Sequence, residues 1–136
     1  MARNVLVDAG FLVALLSRSD SHHRWATTIA PDYAPPWRTC EAVLSEAFHL
    51  LGAGGAPSLS AMLHRRALIV AFDLDNDVES VLKLLQKYSN VPMSLADACL
   101  VRMSETFADP MVLTTDSDFR IYRRHSRQTI PSKLPS

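Results

Sequence analysis

Val5-Leu6-Val7-Asp8-Ala9-Gly10-Phe11-Leu12-Val13-Ala14-Leu15-Leu16 decides how this chain is read. Val5-Leu6-Val7 is a short apolar run of strand type that ends at Asp8-Ala9-Gly10, after which Phe11, Leu12, Leu15 and Leu16 recur at helical spacing. Strand, turn and helix in that order open a parallel βαβ unit. The stretch also imitates a secretory leader, with Arg3 ahead of an apolar middle. Asp8 argues against that reading, because a carboxylate at the centre of such a segment is costly to place in lipid, and no small-residue cleavage site precedes Ser17-Arg18-Ser19-Asp20. No other stretch approaches the roughly 20 apolar residues of a membrane span. The expectation is a cytoplasmic protein with no membrane contact.

Working outward, Ser19 or Asp20 can cap a second helix running to about Ile29, before Pro31, Pro35 and Pro36 break the chain. A third helix is predicted from Thr39 to Leu51, stopped by Gly52, Gly54 and Gly55, and a fourth over Ser58 to Arg66. Leu68 to Phe72 reads as a buried strand, Val78 to Tyr88 as a helix, and Ser94 to Phe107 as another. Met111-Val112-Leu113 is again a short apolar strand, closing at Thr114-Thr115-Asp116. Strands alternating with helices predict an α/β domain with a central, mainly parallel sheet. Residues 1 to 136 carry no internal repeat and no linker long enough to separate domains, so a single domain is expected.

Composition agrees with that expectation. The 136 residues are 48% hydrophobic and 21% charged, with 14 basic residues against 14 acidic ones. A chain of this size buries roughly two-thirds of its unfolded surface, so it can fold without disulfides or a structural metal. Cys40 and Cys99 sit in apolar runs and read as reduced core thiols. The charge is segregated along the chain: residues 1 to 68 carry +1, 69 to 118 carry −6 and 119 to 136 carry +5. Arginine supplies 11 of the 14 basic residues, and guanidinium suits bidentate phosphate contact. An acidic centre beside an arginine-rich end is the distribution expected where carboxylates hold a cation and arginines hold a phosphodiester. It also fits a solvated terminal segment.

In parallel α/β sheets, ligand sites form at the carboxyl ends of strands, near a topological switch point. Asp8 and Asp116 each follow an apolar strand. On a helix beginning at Thr39, Glu46 falls at the margin of the buried arc, where a carboxylate needs a partner, a proton or a metal. Asp97 lies on the first turn of the helix after Ser94. Singly, each acid has a structural use: Asp8 and Asp116 as caps, Asp118 as a first-turn charge, and Ser94 with Asp97 as a capping box. Together they supply the oxygen-rich, negatively charged set that Mg²⁺ or Mn²⁺ prefers.

In these segments the chain resembles the PIN-domain family of metal-dependent ribonucleases. Val5-Leu6-Val7-Asp8 is similar to the family's opening strand and first acid, and Thr39-Cys40-Glu41-Ala42-Val43-Leu44-Ser45-Glu46 to the helix carrying its glutamate. Pro92-Met93-Ser94-Leu95-Ala96-Asp97-Ala98 resembles the segment with the third acid, and Leu113-Thr114-Thr115-Asp116-Ser117-Asp118-Phe119 the segment with the fourth. The resemblance covers nearly the whole chain. It implies a three-layer α/β/α fold, with Asp8, Glu46, Asp97 and Asp116 as catalytic metal ligands around Mg²⁺ or Mn²⁺. Asp118 would be an auxiliary acid and Thr114 an orienting hydroxyl. Many members carry serine or threonine directly after the first aspartate, whereas this chain has Ala9, one hydroxyl fewer near the metal. Small stand-alone members are often toxins of VapC-like toxin–antitoxin pairs, commonly dimeric. An RNA substrate, an antitoxin partner and a homodimer are therefore what the resemblance implies.

The activity expected is metal-assisted phosphodiester hydrolysis of single-stranded or structured RNA by an endoribonuclease, with no side-chain nucleophile. That agrees with the lack of a convincing serine or cysteine triad. Arg120, Arg123 and Arg124, just beyond Asp116, are candidates to steer the RNA backbone. His22, His23, His49, His64 and His125 lack metal-ligand spacing and read as structural or surface residues. Trp25 and Trp37 read as packing residues rather than base-stacking platforms. Phe72-Asp73-Leu74-Asp75-Asn76-Asp77 is not a calcium loop, because Val78 stands where glycine is needed and Leu84 where the bidentate glutamate belongs. It reads as a strand end plus a helix cap. A phosphoacceptor receiver domain needs a lysine after a late strand, and none follows Leu113 closely. The alternative that Ala9 keeps open is a PIN-like module that binds RNA without cutting it.

Overall fold

The computed structural model describes residues 3–136. Strand β1 (Asn4–Val7) enters helix α1 (Ala9–Leu16), followed by α2 (His23–Ile29), a 3₁₀ turn (Ala30–Asp32) and β2 (Trp37–Thr39). Helix α3 (Glu41–His64) leads to β3 (Leu68–Val70), and α4 (Leu74–Lys87) and α5 (Leu95–Thr106) to β4 (Pro110–Leu113). A second 3₁₀ turn (Ser117–Arg120) precedes β5 (Arg123–Arg124), β6 (Gln128–Thr129) and β7 (Ser132–Lys133). The main sheet has five parallel strands in the order β3-β2-β1-β4-β7. Strands β5 and β6 form a small antiparallel hairpin.

Strand order fixes the layers. From β1 the chain steps outward to β2 and β3, then returns past β1 to β4. Right-handed crossovers therefore place α1, α2 and α3 on one face and α4 and α5 on the other. The contacts follow: α1 packs on α2 and α3, while α4 packs on α5, which covers β1 and β4. The order in which strands are added to the sheet reverses between the parallel neighbours β1 and β4, so the carboxyl ends of these two strands bound the crevice where α/β sheets bind ligands. Strand β1 is buried on both faces, with Leu6 and Val7 fully enclosed, as a central parallel strand requires. On the α1 side, Phe11 packs edge-on against both Trp25 and Trp37, so both tryptophans are packing residues.

Several boundaries differ from the sequence reading. Thr39 does not open α3. It ends β2, a strand the sequence reading omitted, and its hydroxyl donates to the Val7 carbonyl at 2.9 Å, tying β2 to β1 inside the core. The predicted third and fourth helices are one run bent at Gly52 (φ 64°, ψ −168°). Gly54 and Gly55 are helical, and a Cβ on Gly55 would collide with the Leu51 side chain, so this glycine is used for close packing. The second helix starts at His23, because the Asp20 carboxylate accepts the His22 amide and holds a turn ahead of it. Strand β3 stops at Val70 rather than Phe72, and Asp73 caps α4 by accepting the Asp75 amide, four residues earlier than the helix start predicted at Val78.

Candidate active site

The first acid is placed by the first turn of the fold. Asp8 leaves the carboxyl end of β1 with extended backbone and caps α1, its Oδ1 accepting the Ala9 amide at 2.7 Å. Its Oδ2 accepts the Thr114 hydroxyl at 2.8 Å. Thr114 follows β4, and the same hydroxyl accepts the Asp116 amide at 2.9 Å. One buried threonine thus joins the ends of the two central strands and sets both aspartates on one edge of the sheet. Asp116 Oδ1 accepts the Asp118 amide and caps the 3₁₀ turn.

The third acid arrives from the opposite layer. Ser94 and Asp97 form a complete capping box at the start of α5: the Ser94 hydroxyl accepts the Asp97 amide at 3.0 Å, and Asp97 Oδ2 accepts the Ser94 amide at 3.2 Å. Asp97 Oδ2 also accepts the Tyr122 hydroxyl at 3.0 Å. With Oδ2 committed to these bonds, Oδ1 is the free donor. Asp8, Asp97 and Asp116 each offer a carboxylate oxygen, and these oxygens lie within 4.8 Å of one another. The capping roles and the cluster are compatible because a carboxylate has two oxygens with two lone pairs each, so one or two accepted hydrogen bonds leave capacity for a cation.

Glu46 and Asp118 stand outside that trio. Glu46 is exposed on α3 near the rim of the crevice; its carboxyl lies above the usual range through partial burial, and also through the charge on Asp97. The trio itself is strongly perturbed. Burial, with smaller pushes from Asp97 and Asp116, raises the Asp8 carboxyl to about 7 against the hydrogen bonds from Thr114 and Ala9. Asp97 is also raised, chiefly by burial, with its bonds to Ser94 and Tyr122 opposing. Converging hard oxygens whose negative charge the protein itself does not neutralise are a donor set that fits a divalent cation. Asp8, Asp97 and Asp116 are the residues placed to hold it.

Tyr122 escaped the sequence reading. It is fully buried, stacked edge-on between Tyr88 and Phe119 with ring centroids 5.1 and 5.2 Å away, and its phenol is raised by burial and by Asp97. Its one sequence mark is the Phe119-x-x-Tyr122 spacing inside an otherwise arginine-rich segment. The three arginines diverge. Arg120 is exposed; Arg123 Nη1 donates to the carbonyls of Arg120, Ile121 and Tyr122; Arg124 is half-buried with its Nε unpartnered among the described residues. A cavity of about 690 Å³, lined by Leu15, Tyr33, Trp37 and Met62, includes none of the acids.

A family model described as PIN domain matches residues 5–124, a span that includes every acid of the crevice. The chain belongs to the PIN-domain family. This PIN domain is similar in structure to VapC20 of Mycobacterium tuberculosis, a toxin that cleaves the sarcin–ricin loop, at 21% identity and a TM-score of 0.72 over 85% of this chain and 92% of that one. It is also similar to PAE2754 of Pyrobaculum aerophilum, at 22% identity and a TM-score of 0.51 over 87% of this chain and 84% of that one. At these identities the likeness shows a shared PIN fold. No curated protein sequence gives a significant match. The five-stranded parallel sheet between helices is thus the expected PIN architecture.

Proposed function

We propose that this PIN domain is a Mg²⁺- or Mn²⁺-dependent endoribonuclease acting in the cytoplasm. The observation that carries the reading is the meeting of Asp8, Asp97 and Asp116, from three distant parts of the chain, at the switch point of the sheet. A bound divalent ion held there would supply positive charge to the scissile phosphate and lower the pKa of a water in its shell. The chain's own residues then have definite tasks. Asp8 Oδ2 and the Asp116 backbone are locked together by Thr114, so the two strand-end carboxylates keep one spacing. Tyr122 and Ser94 pin Asp97 Oδ2, which fixes the direction of Oδ1. Glu46 and Asp118 stand at the rim, available as outer ligands or to orient water. Arg120, exposed one turn beyond Asp116, would offer its guanidinium to the RNA backbone, while the Arg123 contacts hold the 3₁₀ turn in shape for it. Arg124 is assigned the same phosphate-steering role. With Ala9 after Asp8, Thr114 is the hydroxyl bonded to the first acid.

The VapC20 likeness supports a toxin role with an antitoxin partner, and α4 supports a homodimer. Val78 and Leu82 form an exposed apolar edge on that helix beyond its kink at Asp77, with Leu74 exposed ahead of the kink, Asp75 and Glu79 toward its start and Lys83 toward its end. Antiparallel pairing with a second copy covers that edge and sets unlike charges together. No helix among the described residues is long and apolar enough to cross a membrane.

The test uses purified chain freed of any partner, incubated with structured and single-stranded RNA in EDTA, Mg²⁺ or Mn²⁺. Cleavage products that require the metal and vanish in Asp97→Asn are the expected result. RNA binding with no products under any metal would replace the nuclease with the RNA-binding module.

A further inference from the structure

The turn of the β5–β6 hairpin is held in a conformation its residues do not favour. His125 (φ 50°) and Ser126 (φ 69°) are consecutive left-handed residues, and neither is glycine. Three bonds from the α4–α5 layer impose that shape. The His125 amide donates to Glu105 Oε2 at 2.7 Å, Lys87 Nζ donates to the Ser126 carbonyl at 3.3 Å, and the Arg123 amide donates to the Tyr88 hydroxyl at 3.0 Å. Backbone strain of this kind persists where the surroundings over-determine it, as at ligand clamps. Between the turn and α4 lies a recess of about 190 Å³, lined by Ser80, Lys83, Leu84, Lys87, Glu105 and Ser126. Ser80, Lys83 and Lys87 share one face of α4, within about 60° of one another and about 100° or more from Val78 and Leu82. Both lysines are exposed, and neither has a carboxylate partner among the described residues. With Arg102 and its two carboxylates, Asp77 and Glu105, the lysines give the recess a charge of +1, and exposed Arg127, next to Ser126, raises it to +2.

We propose that this recess is a phosphate subsite, which holds a backbone phosphate of the RNA a few nucleotides from the cleaved bond. The identity of that ligand rests on the nuclease reading. Two elements join the subsite to the acids. Asp97 opens α5 and Glu105 lies eight residues further along it, about 12 Å, while Tyr122, whose hydroxyl bonds Asp97, leads directly into β5. A strand rising ~3.4 Å per nucleotide covers that distance in a few steps. Lys83 and Lys87 supply the charge, Ser80 a hydroxyl donor, and the anchored turn fixes the far wall.

The test reads binding of a labelled single-stranded RNA of about 12 nucleotides to the full chain in EDTA, by fluorescence anisotropy over a range of salt. Replacing both lysines (Lys83→Ala with Lys87→Ala) is expected to weaken binding roughly tenfold near physiological salt and to flatten the log–log salt slope by about 1.4, with the melting temperature unchanged. Arg24→Ala, which removes one exposed charge from α2 on the other face of the sheet, is expected to change neither quantity. No RNA binding by the natural chain, binding indifferent to the lysines, or an equal loss in Arg24→Ala would each overturn the subsite. Inorganic phosphate is the second arm: if it binds the natural chain but not the double variant while RNA affinity is the same in both, the recess takes free phosphate and the RNA assignment is overturned. Cleavage assayed separately keeps the two readings apart. Lysine-dependent binding with no metal-dependent products would retire the nuclease and keep a phosphate subsite, and products with binding indifferent to the lysines would do the reverse.

Discussion

Asp8 holds its charge where the fold solvates it least, and the consequence for stability has a definite sign. Burial raises its carboxyl from 3.8 to about 7, so between those values the folded chain binds a proton that the unfolded chain has released. Metal-free stability contributed by this group is therefore full below about pH 4 and is lost as pH rises toward 7. Asp8→Asn removes the buried charge. It is expected to stabilise the EDTA-treated protein at pH 8 by of the order of 1–3 kcal/mol, seen as a higher melting temperature, and to abolish both cleavage and the thermal shift produced by Mn²⁺. Calorimetry between pH 4 and 8 measures the slope, and a metal-free stability that climbs with pH across that window would contradict the burial argument. Tyr122→Phe makes a finer change. It deletes one hydrogen bond that favours ionised Asp97, and metal titration should show affinity weakened several-fold, about 1 kcal/mol, with the fold retained. Of the residues in this network, Asp8, Asp116 and Asp97 were legible because strand ends and a capping box mark them in the sequence, and Thr114 through the family resemblance alone. Tyr122 was not, because a tyrosine buried against an acid 25 positions away leaves no local pattern.

At the scale of elements, what could be read was whatever carries its own periodicity or cap. Strands β1 and β4 were visible as short apolar runs closed by acids, and α5 by Ser94 and Asp97. Strand β2 was hidden because Trp37-Arg38-Thr39 is three residues long and follows Pro35-Pro36; it is a strand through its pairing with Leu6 and with Leu68 to Val70, which is information held by other segments. The glycines after Leu51 mark a true break at Gly52, but the helix resumes at once because Gly55 lets the Leu51 side chain lie against it. Gly52 has φ 64° and ψ −168°, a region open essentially to glycine alone. Nothing lies within 4 Å of an added Cβ there, so Gly52→Ala isolates the backbone cost from any clash. Urea unfolding is expected to show a loss of about 1–3 kcal/mol, with cleavage intact in the folded fraction. An unchanged midpoint would mean that α3 straightens without penalty.

At the scale of the whole molecule, charge and apolar surface are sorted in a way no single element explains. The acids converge at the carboxyl edge of the sheet, and Arg120 is exposed at the end of the 3₁₀ turn that Asp116 caps, so carboxylates and an exposed guanidinium follow one another at the end of β4. Helix α4, in the layer opposite α1, exposes Leu74, Val78 and Leu82 at 36%, 38% and 52%, while its buried side is anchored by Val81. Val78 and Leu82 are spaced by four and form one apolar edge of the helix, while Leu74 stands before the break in helical geometry at Asp77 (φ −117°, ψ 16°). The charges beside that edge are polarised along the helix, acidic at Asp75 and Glu79 and basic at Lys83, which disfavours a parallel partner and favours an antiparallel copy of the same helix. Leu82→Glu places a charge on the most exposed member of that edge without touching the core or the acids. Light scattering at tens of micromolar protein should then show a dimer for the natural sequence and a monomer for the variant, with the monomer retaining its melting temperature to within about 2 °C because surface changes of this kind cost little. A natural chain that is monomeric at that concentration, or a variant that still dimerises, would move the interface away from α4.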